Sequence, residues 1–372
     1  MCGRNFIAHL FILVVFLVSF NSCSESKEKK DELSKNSEIT YSKYLKIKEV
    51  QSGVLLDISH PDRKNKTYRY FIPKTNGDKT PNGYIRIRKD DLNFLVFSTT
   101  HIGMLEKLNQ VDKIKGTCSK TLIHSSLVKQ KIQEGVILDF GNEGVTSFEK
   151  IIQLKPKIIV YSGFSSEFTK AAEFEKMNII PIPNFDWKET HPLGKAEWIL
   201  FFGYLTGTED AAKKHFKDVK DKYLNLCKTA QIAKVSPTVL MGSKIGDYWY
   251  GPAGNSYGAQ LLSDAKTNYI YKNTKGTASI EYSLEKVFSD AKNADFWINP
   301  GFSTYKLLEM NNSKASFFKA FQTKKVFCYT NNPNKFWELN GVHPDWVLSD
   351  LIQLFHPELN LNQPMHFYKA IE

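Results

Sequence analysis

Hydrophobic and polar positions change rhythm along this chain. Between residues 44 and 90 they alternate: Tyr44-Leu45-Lys46-Ile47-Lys48-Glu49-Val50 places every second side chain on one face, as do Lys66 to Ile72 and Tyr84 to Arg88. Turn-forming residues fill Pro73 to Gly83. This predicts a short β meander. From Leu92 the rhythm becomes apolar runs separated by amphipathic stretches. The runs fall at 92–97, 136–138, 158–161 and 179–182, with helical spacing near 124–134, 147–154 and 167–177. Strand and helix in alternation predict an α/β lobe with a mainly parallel sheet. The same alternation resumes at Pro237. Helices are expected at 257–265, from Ser283, at 313–321 and at 344–355, strands at 295–299 and 325–329, and a loose tail from Pro357.

Between the two α/β stretches lie helices. One opens at Pro192, a residue suited to a first helical turn, and runs to about Leu205. A second follows Thr208 and extends to about Ala230. Its apolar positions Ala212, Phe216, Val219, Tyr223 and Leu226 share one face. Such a helix either spaces two lobes rigidly or packs on one of them. One local step also occurs twice: Ser147-Phe148-Glu149-Lys150 and Ser283-Leu284-Glu285-Lys286 each open an amphipathic run that leads into a strand. Each copy alone reads as an ordinary helix start, with Ser as N-cap and Glu favoured by the helix dipole. The doubling suggests one αβ unit used in two lobes.

The 372 residues exceed one typical core and suit two lobes. The first 22 residues read as a signal peptide: Leu10 to Val18 is apolar but too short to span a bilayer. The following Ser22-Cys23 resembles the lipobox of bacterial lipoproteins, which implies cleavage before Cys23 and a lipid on its sulfur. Residues 23–40 then form a polar tether. Cys118, Cys227 and Cys328 have no metal-like spacing and are expected as free thiols. The net charge of +11 comes from dispersed lysines, and an exported chain of that kind does not suggest nucleic acid as a partner. No Arg follows Arg88, so later segments cannot hold a ligand with a guanidinium fork.

The sequence lacks the Walker and dinucleotide fingerprints and His-Glu-x-x-His. For an exported chain this favours binding over catalysis. Open α/β sheets bind ligands beyond the ends of their strands. Candidates there are His101, Tyr161 and Trp187 in the first lobe. In the second they are Lys244, Trp249, Tyr250, Phe302, Lys335 and Trp337. Aromatics in Gly- and Asn-rich loops suit a flat, partly apolar ligand, although any one of them can simply pack on its own lobe. His101 either ligates a metal, hydrogen-bonds a ligand or is a satisfied buried histidine.

Taken together, Ser98 to His101, Ser147 to Tyr161, Pro192 to Trp198, Trp249 to Tyr257, Ser283 to Ile298 and His343-Pro344-Asp345 resemble the periplasmic substrate-binding proteins of iron-chelate and vitamin B12 ABC importers. The likeness covers about residues 92–356 and is nearest to the lipoprotein branch of the Bacteroidetes. It implies an α/β fold of two lobes joined by one long rigid helix, with an N-terminal β extension. The expected boundaries are extension 41–90, first lobe 91–207, spacer 208–232, second lobe 233–356 and tail 357–372. It further implies a monomeric, non-enzymatic periplasmic receptor, anchored through Cys23, that binds a small metal chelate. Glu149 and Glu285 would dock on the permease, which works with its ATPase. No resident cofactor or metal is expected; the ligand itself would carry Fe or Co. The chelate is expected to be haem or a ferric siderophore, with cobalamin as the alternative. A chelate-modifying enzyme, an importer-free scavenger and a Zn or Mn carrier are weaker readings.

Overall fold

This computed structural model describes residues 39–141, 147–163, 168–329 and 332–372. The expected signal peptide and Cys23 lie outside the described residues, as do Phe164, Thr330 and Asn331.

The N-terminal extension is a four-stranded sheet in the order Leu45–Val50, Gly53–Ser59, Thr67–Pro73, Ile85–Arg86. The first three strands are antiparallel, but the fourth runs parallel to the third, so the expected meander holds only in part. The strand Gly53–Ser59 escaped the alternation pattern because Val54-Leu55-Leu56 is a continuous apolar run. Gly53 is required where it stands: its φ is +154°, and a Cβ would meet the Ile72 oxygen at 2.1 Å. Two buried carboxylates fasten the extension to the first lobe. Glu197 accepts the backbone N–H groups of Thr40, Tyr41 and Ser42 at 2.7–2.8 Å, and Glu189 accepts that of Lys43 at 3.0 Å.

The first lobe carries five parallel strands in the order Leu138–Asp139, Ile114–Thr117, Phe94–Val96, Ile158–Tyr161, Ile180–Pro183. The second lobe has Asn268–Tyr269, Thr238–Met241, Phe296–Ile298 and Val326–Tyr329 in parallel, with Tyr368–Ala370 antiparallel at one edge. A small antiparallel sheet, Ser243–Ile245, Tyr248–Pro252 and Ser279–Ser283, hangs on this lobe. The tail is therefore not loose. Asp350 is buried and accepts the backbone N–H groups of His366, Phe367 and Tyr368 at 2.9, 2.6 and 3.1 Å, which delivers the last strand to the sheet.

The helix Glu209–Ala230 has 22 residues, about 33 Å at ~1.5 Å per residue. It buries Ala212, Phe216, Val219 and Tyr223, the face that the spacing predicts. It packs on Trp198–Thr206 in the first lobe and on Pro344–Phe355 in the second, as a spacer must. The preceding helix is broken into Pro192–Ala196 and Trp198–Thr206 around the buried Glu197. The single helix expected at 313–321 is instead Tyr305–Asn311 followed by the short Lys319–Gln322.

Candidate functional site

Both copies of the Ser-x-Glu-Lys step are helix starts. Ser147 caps Phe148–Leu154 by accepting from Lys150 N–H, and Ser283 caps Leu284–Ala291 by accepting from Lys286 N–H. The glutamate of each first turn is exposed. Glu149 accepts from the Ser147 hydroxyl at 2.7 Å, which lowers its pKa together with its own backbone N–H. Glu285 is likewise lowered, by its backbone N–H and by Lys314 at 3.4 Å. Both carboxylates thus stay ionised and point to solvent.

Residues that follow the carboxyl ends of strands in both lobes converge on one cleft of about 730 Å³. That volume lies within the ~300–1,000 Å³ typical of small-molecule sites. The first lobe contributes Ser98, Thr99 and Thr100 after Phe94–Val96, then Trp187, Lys188, Glu189 and Lys195. Ser98 caps the helix Thr99–Lys107, so the positive end of that helix starts at the cleft. The second lobe contributes Met241, Gly242, Tyr250, Tyr257, Tyr329, Phe336, Trp337 and Tyr368.

The two walls differ. On the second lobe the rings support one another. Phe336 stacks on Tyr329 at 4.2 Å, Trp337 meets Phe336 edge-on at 5.2 Å, and Tyr368 lies 5.4 Å from Tyr329. Burial pushes the hydroxyl pKa values of Tyr257, Tyr329 and Tyr368 upward, so these phenols are neutral. Tyr250 donates to Glu281 at 2.6 Å. On the first lobe, Trp187 Nε1 donates to the Ser162 carbonyl at 2.5 Å, and Lys188 is paired with Asp62 at 3.1 Å. Lys195 is different. Its Nζ lies 5.4 Å from the Tyr257 ring centre, and among the described residues no carboxylate stands within ion-pair distance. Burial lowers its pKa, with the Asp186 charge partly opposing.

Of the nine ligand candidates read from sequence, Trp187, Tyr250 and Trp337 line the cleft. The other six do not. His101 is wholly buried behind the start of its helix, 5.6 Å from the Phe202 ring, and burial lowers its pKa to about 4. Tyr161 is buried against Phe168 at 5.0 Å and faces a smaller cavity beneath the extension. Trp249 has no exposed surface and packs on Trp297 at 5.3 Å. Lys244 donates to the Asn311 carbonyl at 3.0 Å, and Phe302 packs on the second-lobe core. Lys335 donates to the His366 carbonyl at 3.1 Å, where it holds the tail.

Lys195, Tyr257, Phe336 and Tyr368 were not read from the sequence. For Lys195 a signal existed. It stands among Pro192, Leu193, Gly194 and Ala196, all buried, and a lysine inside so apolar a turn needs a reason. Among the described residues no group of three or more His, Cys, Asp or Glu converges as a metal site would, and no helix is long and apolar enough to cross a membrane.

Residues 96–333 match the sequence profile of the family described as periplasmic binding protein. An uncharacterized lipoprotein of Methanocaldococcus jannaschii is 27% identical over 308 residues, covering 80% of this chain and 73% of that protein. Among solved structures, the periplasmic haem-binding protein HutB of Vibrio cholerae aligns with a TM-score of 0.57 at 12% identity, covering 74% of this chain and 100% of that one. The ABC-type Fe3+-hydroxamate transport protein of Saccharomonospora viridis aligns with a TM-score of 0.53 at 13% identity, covering 71% and 93%. These two likenesses concern the fold.

Proposed function

Because the chain belongs to the periplasmic binding protein family, whose members bind solutes for ABC transporters, we propose that it is the lipid-anchored receptor of an iron-chelate importer. The observation that carries this reading is the cleft between the lobes, with a wall of stacked rings facing a wall of polar groups. Rings of that kind offer flat apolar area at low entropic cost, which suits the organic part of a metal chelate. The metal, Fe or Co, arrives within the ligand. The lipobox-like Ser22-Cys23 and the lipoprotein name of a relative support anchoring outside the cytoplasm through Cys23.

The loaded receptor acts as a monomer and delivers its chelate to the permease, powered by the partner ATPase. Glu149 and Glu285 are the docking carboxylates in this reading. Each projects from an equivalent capped helix start, one per lobe, and neither lines the cleft. The spacer helix packs on both lobes, so closure about the ligand is small compared with hinged receptors.

Absorption spectroscopy of the purified protein with haem, a ferric hydroxamate or cobalamin tests the ligand. A Soret shift, a perturbed charge-transfer band or perturbed corrinoid bands would each identify one class. A cobalamin response alone would replace iron by cobalt in this reading. No response to any of the three would refute it.

A further inference from the structure

The charged residues that line the cleft, Lys188, Glu189 and Lys195, all come from the first lobe, and the Glu189 carboxylate is taken up by the Lys43 backbone N–H and Trp198 Nε1. Lys195 reaches it from the first lobe with its stem against the second: a Cβ at Gly341 would come within 3.3 Å of Lys195 Cε. Its ammonium faces the Tyr257 ring at 5.4 Å. Lys188, the other lysine of the lining, is already paired with Asp62. Lys195 has no such carboxylate among the described residues, and Asp186 acts on it only through the field. A desolvated ammonium without a close counter-ion costs free energy, which an anion entering the cleft would return. The capped start of Thr99–Lys107 lines the same side and adds partial positive charge. The opposite wall, Phe336 and Trp337, has no charge to offer.

We infer that the ligand is a flat chelate with an anionic edge, a carboxylate or its equivalent, which seats on Lys195 while its apolar body lies against Phe336 and Trp337. This rests on the receptor reading above and narrows it from metal chelates in general to those with an acidic rim. Lysine fits the task as a point charge that pairs with one oxygen at a time, in a region of the chain that has no arginine.

The test compares haem, which has two free carboxylates, with its dimethyl ester, which has none, on the full-length protein in detergent. Wild type should bind haem roughly 30-fold or more tightly than the ester, the range expected for a buried charge pair. Lys195→Met should bind both alike, at the ester's affinity, and should melt no lower than wild type because an unpaired ammonium has been removed. Lys195→Arg should keep the preference for the acid. Equal binding of acid and ester by wild type would overturn the inference, as would an unchanged preference in Lys195→Met. Binding of a neutral ferric hydroxamate or cobalamin with none of haem would overturn it while leaving the receptor reading intact. Binding of no chelate would remove both.

Discussion

The carboxylate of Glu338, on a helix of the second lobe, accepts the backbone N–H of Ser125 in the first lobe at 2.9 Å. It also accepts that of His124 at 2.6 Å, and the side chain is fully buried. These donors stand just ahead of the helix Ser126–Gln133, which the Ser125 hydroxyl caps, so one lobe anchors a helix start of the other. The helix that bears Glu338 also presents Phe336 and Trp337 to the cleft. The latch therefore aims the ligand wall.

Glu338→Ala should lower stability by about 2 kcal/mol, since two buried N–H groups lose their acceptor. Urea denaturation measures this. The pH dependence has a definite sign. Burial raises the Glu338 pKa from 4.5 to about 7, with the two N–H groups partly opposing. Its contribution is then fullest below pH 4.5 and declines as pH rises through about 7. That decline should vanish in the variant; a wild-type slope in Glu338→Ala would show that another group titrates there.

Glu149→Ala combined with Glu285→Ala should abolish chelate uptake in cells while ligand affinity and melting temperature stay at wild-type values. Both groups are exposed and outside the cleft. Normal uptake by the double variant would end the docking assignment.

Trp337→Ala and Trp249→Ala should part company. Trp337 is 54% exposed at the cleft, so its loss should weaken ligand binding about tenfold or more with little change in stability. Trp249 is wholly buried, and its loss should cost about 3–5 kcal/mol of stability. Calorimetric melts and ligand titrations on the two variants separate the roles. A large affinity loss in a well-folded Trp249→Ala would contradict the geometry.

Acid should destabilise the protein through its buried histidines. Burial lowers the His101 pKa from 6.5 to about 4, and that of His215 likewise to about 4. A histidine kept neutral in the folded state contributes stability above pH 6.5 that is lost as pH falls towards 4, about 3 kcal/mol for His101 from ~1.4 kcal/mol per pKa unit. His101→Leu should flatten part of this acid slope and leave ligand affinity within about twofold, because the ring does not reach the cleft. A loss of affinity would return His101 to the ligand set.

What the sequence determined was local or periodic. The spacer helix was legible because Ala212, Phe216, Val219 and Tyr223 repeat at helical spacing. The two docking candidates were legible because a capped first turn is specified by four consecutive residues. The alternation of strand and helix gave the lobes for the same reason. Facing, by contrast, depends on contacts between distant segments. Trp249 and Tyr250 are neighbours on one strand and must point to opposite sides, but only the packing of Trp297 beneath the sheet decides that Trp249 goes inward and Tyr250 to the cleft. Lys335 and Trp337 lie two positions apart on a helix and so diverge: the His366 carbonyl ahead of the last strand takes the lysine and leaves the ring to the cleft. Lys195 stood out in the sequence only as a lysine in an apolar turn; the fold alone set its ammonium before the Tyr257 ring, laid Gly341 against its stem and left it without a close carboxylate among the described residues. Burial and charge pairing are tertiary quantities, and it was those that selected which of the many aromatics and lysines make a site.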